Sequence, residues 1–300
     1  MDYGRELEFG VSIDPTAADL AASRRLALVA DRAGLDYLAV QDHPYQPSHL
    51  EVWTLLTHLA SITERIGVTP DVLDLQLRLP SLVAKSAASF AEIAPGRVAL
   101  GVGGGATPHG VEALGGTPHA GADMVRYTEE ALAVLRRALA GGAVRLDTPR
   151  HRIAGYQAGP VPRPPVPVWL GSQKPRMLAV TGRAADGWIS PLNIYVAPHE
   201  VPERQEAIDR AAREAGRDPR DIRRIYNVIG AIGPYAGANG LLGDVGVWID
   251  TLSDWAVDLG FDTFVFWPMT DAERQVEVFA SEVVPGIRER VAQRRKEAGR

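Results

Sequence analysis

The stretch VQDHPYQP, residues 40–47, places an acid, an imidazole and a phenol together directly after an apolar run. Histidine's ordinary pKa, about 6.5, lies nearer to neutrality than that of any other side chain, and an adjacent carboxylate fixes its tautomer and shifts it. Asp42 and His43 therefore read as a proton-handling pair, with His43 as acid/base and Asp42 as its orienter. The competing reading is a plain turn, because Asp and the flanking Pro44 and Pro47 are turn formers. A second stretch, LGVGGGATPHG (100–110), offers a backbone at Gly103, Gly104 and Gly105 that a flat ring can approach, since no Cβ intervenes. Gly101, Gly103 and Ala106 also match the dinucleotide spacing, but they follow a fourth strand and Thr107-Pro108 diverts the chain into a loop, which excludes a Rossmann site. A flexible loop is the alternative there. A third stretch, WLGSQKPRMLAV (169–180), feeds a Gly-Ser turn into a helix whose first turn holds Lys174, Pro175 and Arg176. Free N–H groups, the helix dipole and two cations make an anion site; the bland reading is two solvated cations.

Other chemistries find little support. His43, His49 and His58 share no ligand spacing and no H-x-H or H-E-x-x-H occurs, so no metal site is expected. There is no G-x-S-x-G elbow and no cysteine, which removes the usual nucleophiles and any disulfide. A net charge of -5 gives no global attraction to nucleic acid. No run approaches the roughly 20 apolar residues of a membrane helix, and the charged opening MDYGRELEFG lacks a signal core, so a cytoplasmic protein is expected. The closing RERVAQRRKEAGR reads as a basic helix end frayed into solvent.

These residues need elements to position them. Apolar runs of strand length alternate with amphipathic helical stretches eight times along the 300 residues. The runs are FGVSI, LDYLAVQ, IGVTPDVLDL, RVALGVG, VPVWLGS, DGWIS, IRRIYNVIGAIG and FDTFVFWP. Gly34 ends the first helix and Pro80 opens the third. Continuous apolar strands separated by helices imply a parallel sheet covered on both faces, and eight units imply a closed (β/α)8 TIM barrel. An open doubly wound sheet is the runner-up. Residues 143–165 break the rhythm after the fourth helix and read as a surface insertion within a single domain over residues 1–300. Chemistry in such barrels collects where strands end, which is where VQDHPYQP lies. Pro70 cannot donate within a sheet ladder, so the third strand is expected to kink near the mouth.

The Asp-His at the second strand exit, the kinked third strand ahead of LRLPSLVAKSAASF, GVGGGA after the fourth, and VPVWLGSQKPRMLAVTGRAADGWIS together resemble the luciferase-like flavin-dependent oxidoreductase family. GFDTFVFWP and FASEVVPGIRERV fit the same pattern. The resemblance spans nearly the whole chain. It implies a barrel that binds FMN or the deazaflavin coenzyme F420 at its mouth. It further implies that the ring lies over a bulge at Asp71–Val72, where relatives hold a non-prolyl cis peptide, and that Gly103, Gly104 and Gly105 line the ring edge. Gly171, Ser172, Gln173 and Arg176 would take the cofactor phosphate, and Asp42 and His43 match the pair beside the reactive carbon in deazaflavin-using relatives. One departure is Ala106, where such relatives often carry Glu; that carboxylate role passes to Asp42 or Asp74, or is empty.

The expected activity is coenzyme F420-dependent hydride transfer to or from a small organic substrate, with Tyr45, Trp53 and Trp267 walling an apolar pocket. The alternatives are an FMN-dependent monooxygenase fed by a separate reductase, a barrel that binds flavin without turnover, and a zinc hydrolase on the same scaffold. Pairing of two copies through outer helices into a homodimer is the expected assembly.

Overall fold

The computed structural model describes residues 1–299. Strands β1 (Glu8–Ile13), β2 (Tyr37–Val40) and β3 (Gly67–Pro70) alternate with helices α1 (Leu20–Ala33) and α2 (Val52–Ile62). A short strand β4 (Leu73–Asp74) resumes β3 past a break, and α3 (Pro80–Ile93) leads to β5 (Leu100–Gly103). Helices α4 (Pro108–Ala113) and α5 (Gly121–Leu139) precede an antiparallel hairpin of β6 (Gly142–Asp147) and β7 (Arg152–Ala158). Then come β8 (Val168–Gly171), α6 (Pro175–Ala184), β9 (Gly187–Ser190) and α7 (Val201–Glu214). The chain ends with β10 (Arg223–Ile232), β11 (Leu241–Gly243), α8 (Val245–Val257), β12 (Thr263–Pro268), α9 (Ala272–Val278), a π-helical turn and α10 (Val284–Glu297).

The strands hydrogen-bond in the order β3-β2-β1-β12-β10-β9-β8-β5-β4. The two ends of that order meet at Val68 and Val98, where Val68 N donates to Arg97 O at 2.8 Å and Ala99 N to Val68 O at 3.1 Å. With β3 and β4 taken as one broken stave, eight parallel staves close into a barrel, and the open sheet is excluded. The break falls at the expected place: Pro70 ends β3 and the Asp71–Val72 peptide is cis. Gly101 allows the seam to form, since a Cβ there would stand 2.1 Å from Pro70 O. Local signals act as expected too. Gly34 closes α1 in the left-handed region with φ 88, and Pro80 opens α3.

Strand alternation makes two cores. Outward residues such as Phe9, Trp188, Tyr226, Phe264 and Phe266 pack beneath the helices, while Ala39, Ala99, Trp169, Ile189, Ile225 and Val265 fill the barrel. Between β10 and α7, fully buried Arg224 is held by Asp209 and Gln205 at 2.7 Å each. Two elements had no sequence signal: β11, a parallel extension of β10, and α4, inside what reads as a loop. The C-terminal helix is not frayed. Arg294 bonds Asp254 and Asp258 at 2.9 Å, and Arg295 bonds Asp2 at 2.8 Å.

Candidate active site

Two residues beyond the inner core layer, β8, β10 and β12 carry Gly171, Asn227 and Trp267, and alternation points them inward at the mouth. Val72 and Trp267 pack directly on the inner cluster and form its upper surface. Val72 leans over two strand ends: a Cβ on Gly103 would lie 2.7 Å from its Cγ2, and one on Gly171 would lie 3.0 Å away. Trp267 Nε1 donates to Asn227 Oδ1 at 3.0 Å, and Asn227 Nδ2 donates to Asp71 Oδ1 at 3.2 Å. Asp71, Val72, Gly103, Gly171 and Trp267, from distant parts of the chain, thus share one floor.

The glycine loop is packed more tightly than a simple opening for a ring. Cβ atoms on Gly104 and Gly105 would meet Thr128 Oγ1 at 2.7 Å and Asp74 Oδ1 at 2.9 Å, and Gly105 has φ 87. Gln76 ties the loop down, donating to Gly104 O at 2.5 Å and accepting from His119 N at 2.5 Å.

The Asp42–His43 pair comes apart. Asp42 is buried and accepts from Arg78 Nη1 at 2.5 Å, from Arg78 Nη2 at 3.0 Å and from Asp74 N at 2.9 Å. Arg78 also reaches Glu51 Oε1 at 2.7 Å. The expectation that Asp42 orients His43 is therefore not met, because a guanidinium is the stronger, bidentate partner and takes the carboxylate. The other candidate carboxylate, Asp74, accepts from Gln76 N at 2.8 Å. His43 itself is half-buried, and among the described residues its imidazole has no hydrogen-bond partner. Its ring lies 5.5 Å from Tyr45 and 6.2 Å from His49. Burial, and then the neighbouring His49, push its pKa below the ordinary histidine value, while Asp42 pulls the other way. At neutral pH the imidazole is uncharged and free to accept a proton.

The aromatic residues divide. Trp267 packs on the inner cluster at the floor. Tyr45 buttresses α4, donating to Thr107 Oγ1 at 2.9 Å and filling the space beside Gly110. Trp53 is not brought to the mouth: it faces Phe90 of α3 at 6.4 Å, so it belongs to the packing between two outer helices. Helical spacing could not reveal which face of α2 it occupies.

At the start of α6, Ser172 Oγ is engaged with Thr181 Oγ1 at 2.8 Å, and Gln173 Nε2 donates to Tyr195 O at 3.2 Å. Lys174 and Arg176 are exposed, have no acidic partner among the described residues, and flank a helix that begins without a side-chain cap. Open N–H groups beside two uncompensated cations suit a phosphate. The donor set at α6, the apolar platform at Val72 and an unpartnered carboxylate oxygen on Asp71 together fit a phosphate-bearing flat heterocycle. A residue missed by sequence reading is Asn227, whose only signal was its amide among the mostly apolar residues that follow Arg223 and Arg224 in β10. Among the described residues no cluster of His, Cys, Asp or Glu is arranged to hold a metal, and no helix is long and apolar enough to cross a membrane.

Several proteins of known activity resemble the chain in sequence or in fold. The curated 5,10-methylenetetrahydromethanopterin reductase of Methanolobus tindarius is 29% identical over 220 residues, covering 72% of this chain and 63% of that protein. The phthiodiolone/phenolphthiodiolone dimycocerosates ketoreductase of Mycobacterium bovis is 32% identical over 194 residues, covering 62% of this chain and 48% of that protein. The chain thus spans less than two thirds of either relative. Among solved structures, an F420-dependent secondary alcohol dehydrogenase in complex with an F420–acetone adduct superposes with TM-score 0.84 at 17% identity, covering 94% of this chain and 99% of that one. The FMN-bound oxygenating constituent of 3,6-diketocamphane monooxygenase from Pseudomonas putida superposes with TM-score 0.76 at 15% identity, covering 94% and 98%. Those two likenesses are of fold. The luciferase-like monooxygenase profile, however, matches residues 5–235, well over half of the sequence, and the chain belongs to that family of oxidoreductases.

Proposed function

We propose that the protein seats coenzyme F420 at the barrel mouth and moves a hydride between it and a small organic substrate, with His43 exchanging the accompanying proton. The observation that carries this reading is the half-buried His43 imidazole, kept neutral by burial and left without an internal partner. A bound deazaflavin supplies a carbon that carries hydride, whereas a reduced flavin supplies a centre that reacts with oxygen. In the alcohol-oxidising direction neutral His43 would take the O–H proton, while a bound deazaflavin would accept the C–H hydrogen with its electron pair. In the reverse direction the imidazolium returns the proton. Gly171 and the start of α6 would hold the phosphate, with Lys174 and Arg176 as cations. Val72 would support the ring, and Trp267, fixed by Asn227, would close one side.

The reductase relatives and the F420–acetone structure support this choice. The FMN-bound oxygenase of the same fold supports the second reading, a monooxygenase that needs a separate reductase. Calorimetric titration with F420 and with FMN, each oxidised and reduced, separates them. Submicromolar binding of F420 with little binding of FMN is expected. The converse result moves the protein to the second reading, and binding of neither ends both.

A further inference from the structure

At the mouth floor the hydrogen bonding of Asp71 is incomplete among the described residues. Asp71 Oδ1 accepts from Asn227 Nδ2 at 3.2 Å, across the barrel. Asn227 is itself fixed, since its Nδ2 also reaches Ser190 O at 3.2 Å and its Oδ1 receives the Trp267 indole at 3.0 Å. Asp71 Oδ2 is shielded from solvent and meets no donor. A buried acceptor left in that state is costly, and native structures seldom keep one without a use. The neighbouring carboxylates are engaged inside the protein, Asp42 by Arg78 and Asp74 by the Gln76 N–H. Asp71 as a residue is only half-buried, and the outer torsion of an Asp is broad and two-fold, so its carboxyl has freedom to re-aim Oδ2 toward a ligand.

We propose that Asp71 is a ligand-contacting residue whose free carboxylate oxygen accepts a hydrogen bond from the imide N–H of the flavin-type heterocycle seated on the floor. This rests on the reading that such a heterocycle binds here, and it adds a side-chain contact that reads the ring's donor edge. The imide N–H is common to deazaflavins and flavins, so the contact is indifferent to which of them is bound. It selects against a flat ligand that shows only acceptors at that edge, because two acceptors would then face one another.

Acceptance requires the ionised carboxylate. Burial pushes Asp71 up to about 6, with the Asn227 hydrogen bond opposing. Ligand affinity therefore climbs as pH rises through that value, and binding releases a proton. The groups packed against Asp71 from β10 and β12, Asn227 and Trp267, do not titrate in this range. Two groups nearby do shift: His43, on the adjoining exit of β2, is held below the ordinary histidine value by burial, and Asp74, paired with Gly103, is raised above the ordinary carboxylate value by burial. His49 stacks on His43, and Asp42 is paired with Arg78. A His43→Asn background removes the imidazole, and Asp74 stays the same in every variant, so the difference made by the Asp71 substitutions is what is read.

The test is calorimetry of oxidised F420 and FMN binding between pH 5 and pH 8, in two buffers of different ionisation enthalpy. In the His43→Asn protein, affinity should be about tenfold weaker at pH 5 than at pH 7, the ratio of ionised fractions for a pKa near 6, with proton release on binding. Asp71→Asn and Asp71→Ser should bind about tenfold or more weakly at pH 7 and lose this pH dependence. The FMN phosphate adds its own titration equally in every variant, so differences between variants are read. Flat affinity without proton release in His43→Asn overturns the proposal even where the Asp71 variants do not fold. So does unchanged pH dependence in a folded Asp71 variant. Wild-type protein that binds neither cofactor at any pH is a different outcome, the failure of the functional reading.

Discussion

Asp42→Ala and His43→Asn are expected to fail in different ways, although the two residues are adjacent. Removing Asp42 leaves Arg78, with its side chain only 16% exposed, paired to Glu51 alone. Breaking such a pair costs about 3–5 kcal/mol, and the surviving Glu51 contact places this case near the lower end. The urea midpoint of Asp42→Ala should fall accordingly, while turnover per folded molecule stays within a few-fold. An unchanged midpoint with lost turnover would restore Asp42 as orienter of His43. His43→Asn should do the reverse, lowering kcat by about 10²-fold or more with cofactor affinity and melting temperature retained. The working base is neutral imidazole, and burial and His49 hold its pKa below the usual 6.5. Alcohol oxidation should therefore keep more than half of its plateau rate at pH 6.5 and reach its acid midpoint below that value. Because the folded pKa is depressed, the contribution of His43 to stability is present above 6.5 and is lost as pH falls through the folded value. A rate midpoint above 6.5 would assign the proton to another group.

At the scale of elements, much of this arrangement was legible and some was not, for a physical reason. Eight apolar runs with helices between them specify a parallel barrel, and strand ends specify where chemistry collects, so VQDHPYQP, the glycine loop and the start of α6 could be placed from local pattern alone. Long-range partners could not. Arg78 takes Asp42 from 36 residues away, and Asn227 meets Asp71 from 156 away. Neither pairing leaves a trace in spacing. Trp53 misled because an aromatic near a strand exit can face the mouth or the next helix, and only packing against Phe90 decides. The start of α6 is the element whose role is most open to direct test. Among the described residues Lys174 and Arg176 have no acidic partner, so replacing both by Ala should leave stability within about 0.5 kcal/mol. Cofactor affinity should weaken by roughly tenfold or more, with a shallower dependence on salt. Equal affinity in the double variant would move the phosphate away from this helix.

The whole molecule works as a site only because the ring of strands is closed, and the closure depends on a seam with few backbone bonds. β3 and β5 meet through the Val68–Val98 bridge, and Arg97 straps the approach to β3 from below. Its guanidinium donates to Ile66 O and Thr63 O at 3.0 Å and to Thr63 Oγ1 at 2.7 Å. Higher along the same seam stand Pro70 against Gly101, then Val72 against Gly103. Barrel interiors are close-packed and transmit displacement, so loosening the lower end should shift Val72 relative to Gly103 and Gly171 at the floor. Arg97→Ala removes three charge-assisted hydrogen bonds at a half-buried position and should cost about 2–3 kcal/mol. Cofactor affinity should fall several-fold, although Arg97 touches nothing at the mouth. Arg220→Ala is the matched control, since the guanidinium of that exposed residue pairs with Asp218 in its own turn and its loss should change neither quantity measurably. Denaturant midpoints and F420 titrations on the two variants separate the cases. Loss of stability with undiminished affinity in Arg97→Ala would mean that the floor holds its shape independently of the seam beneath it.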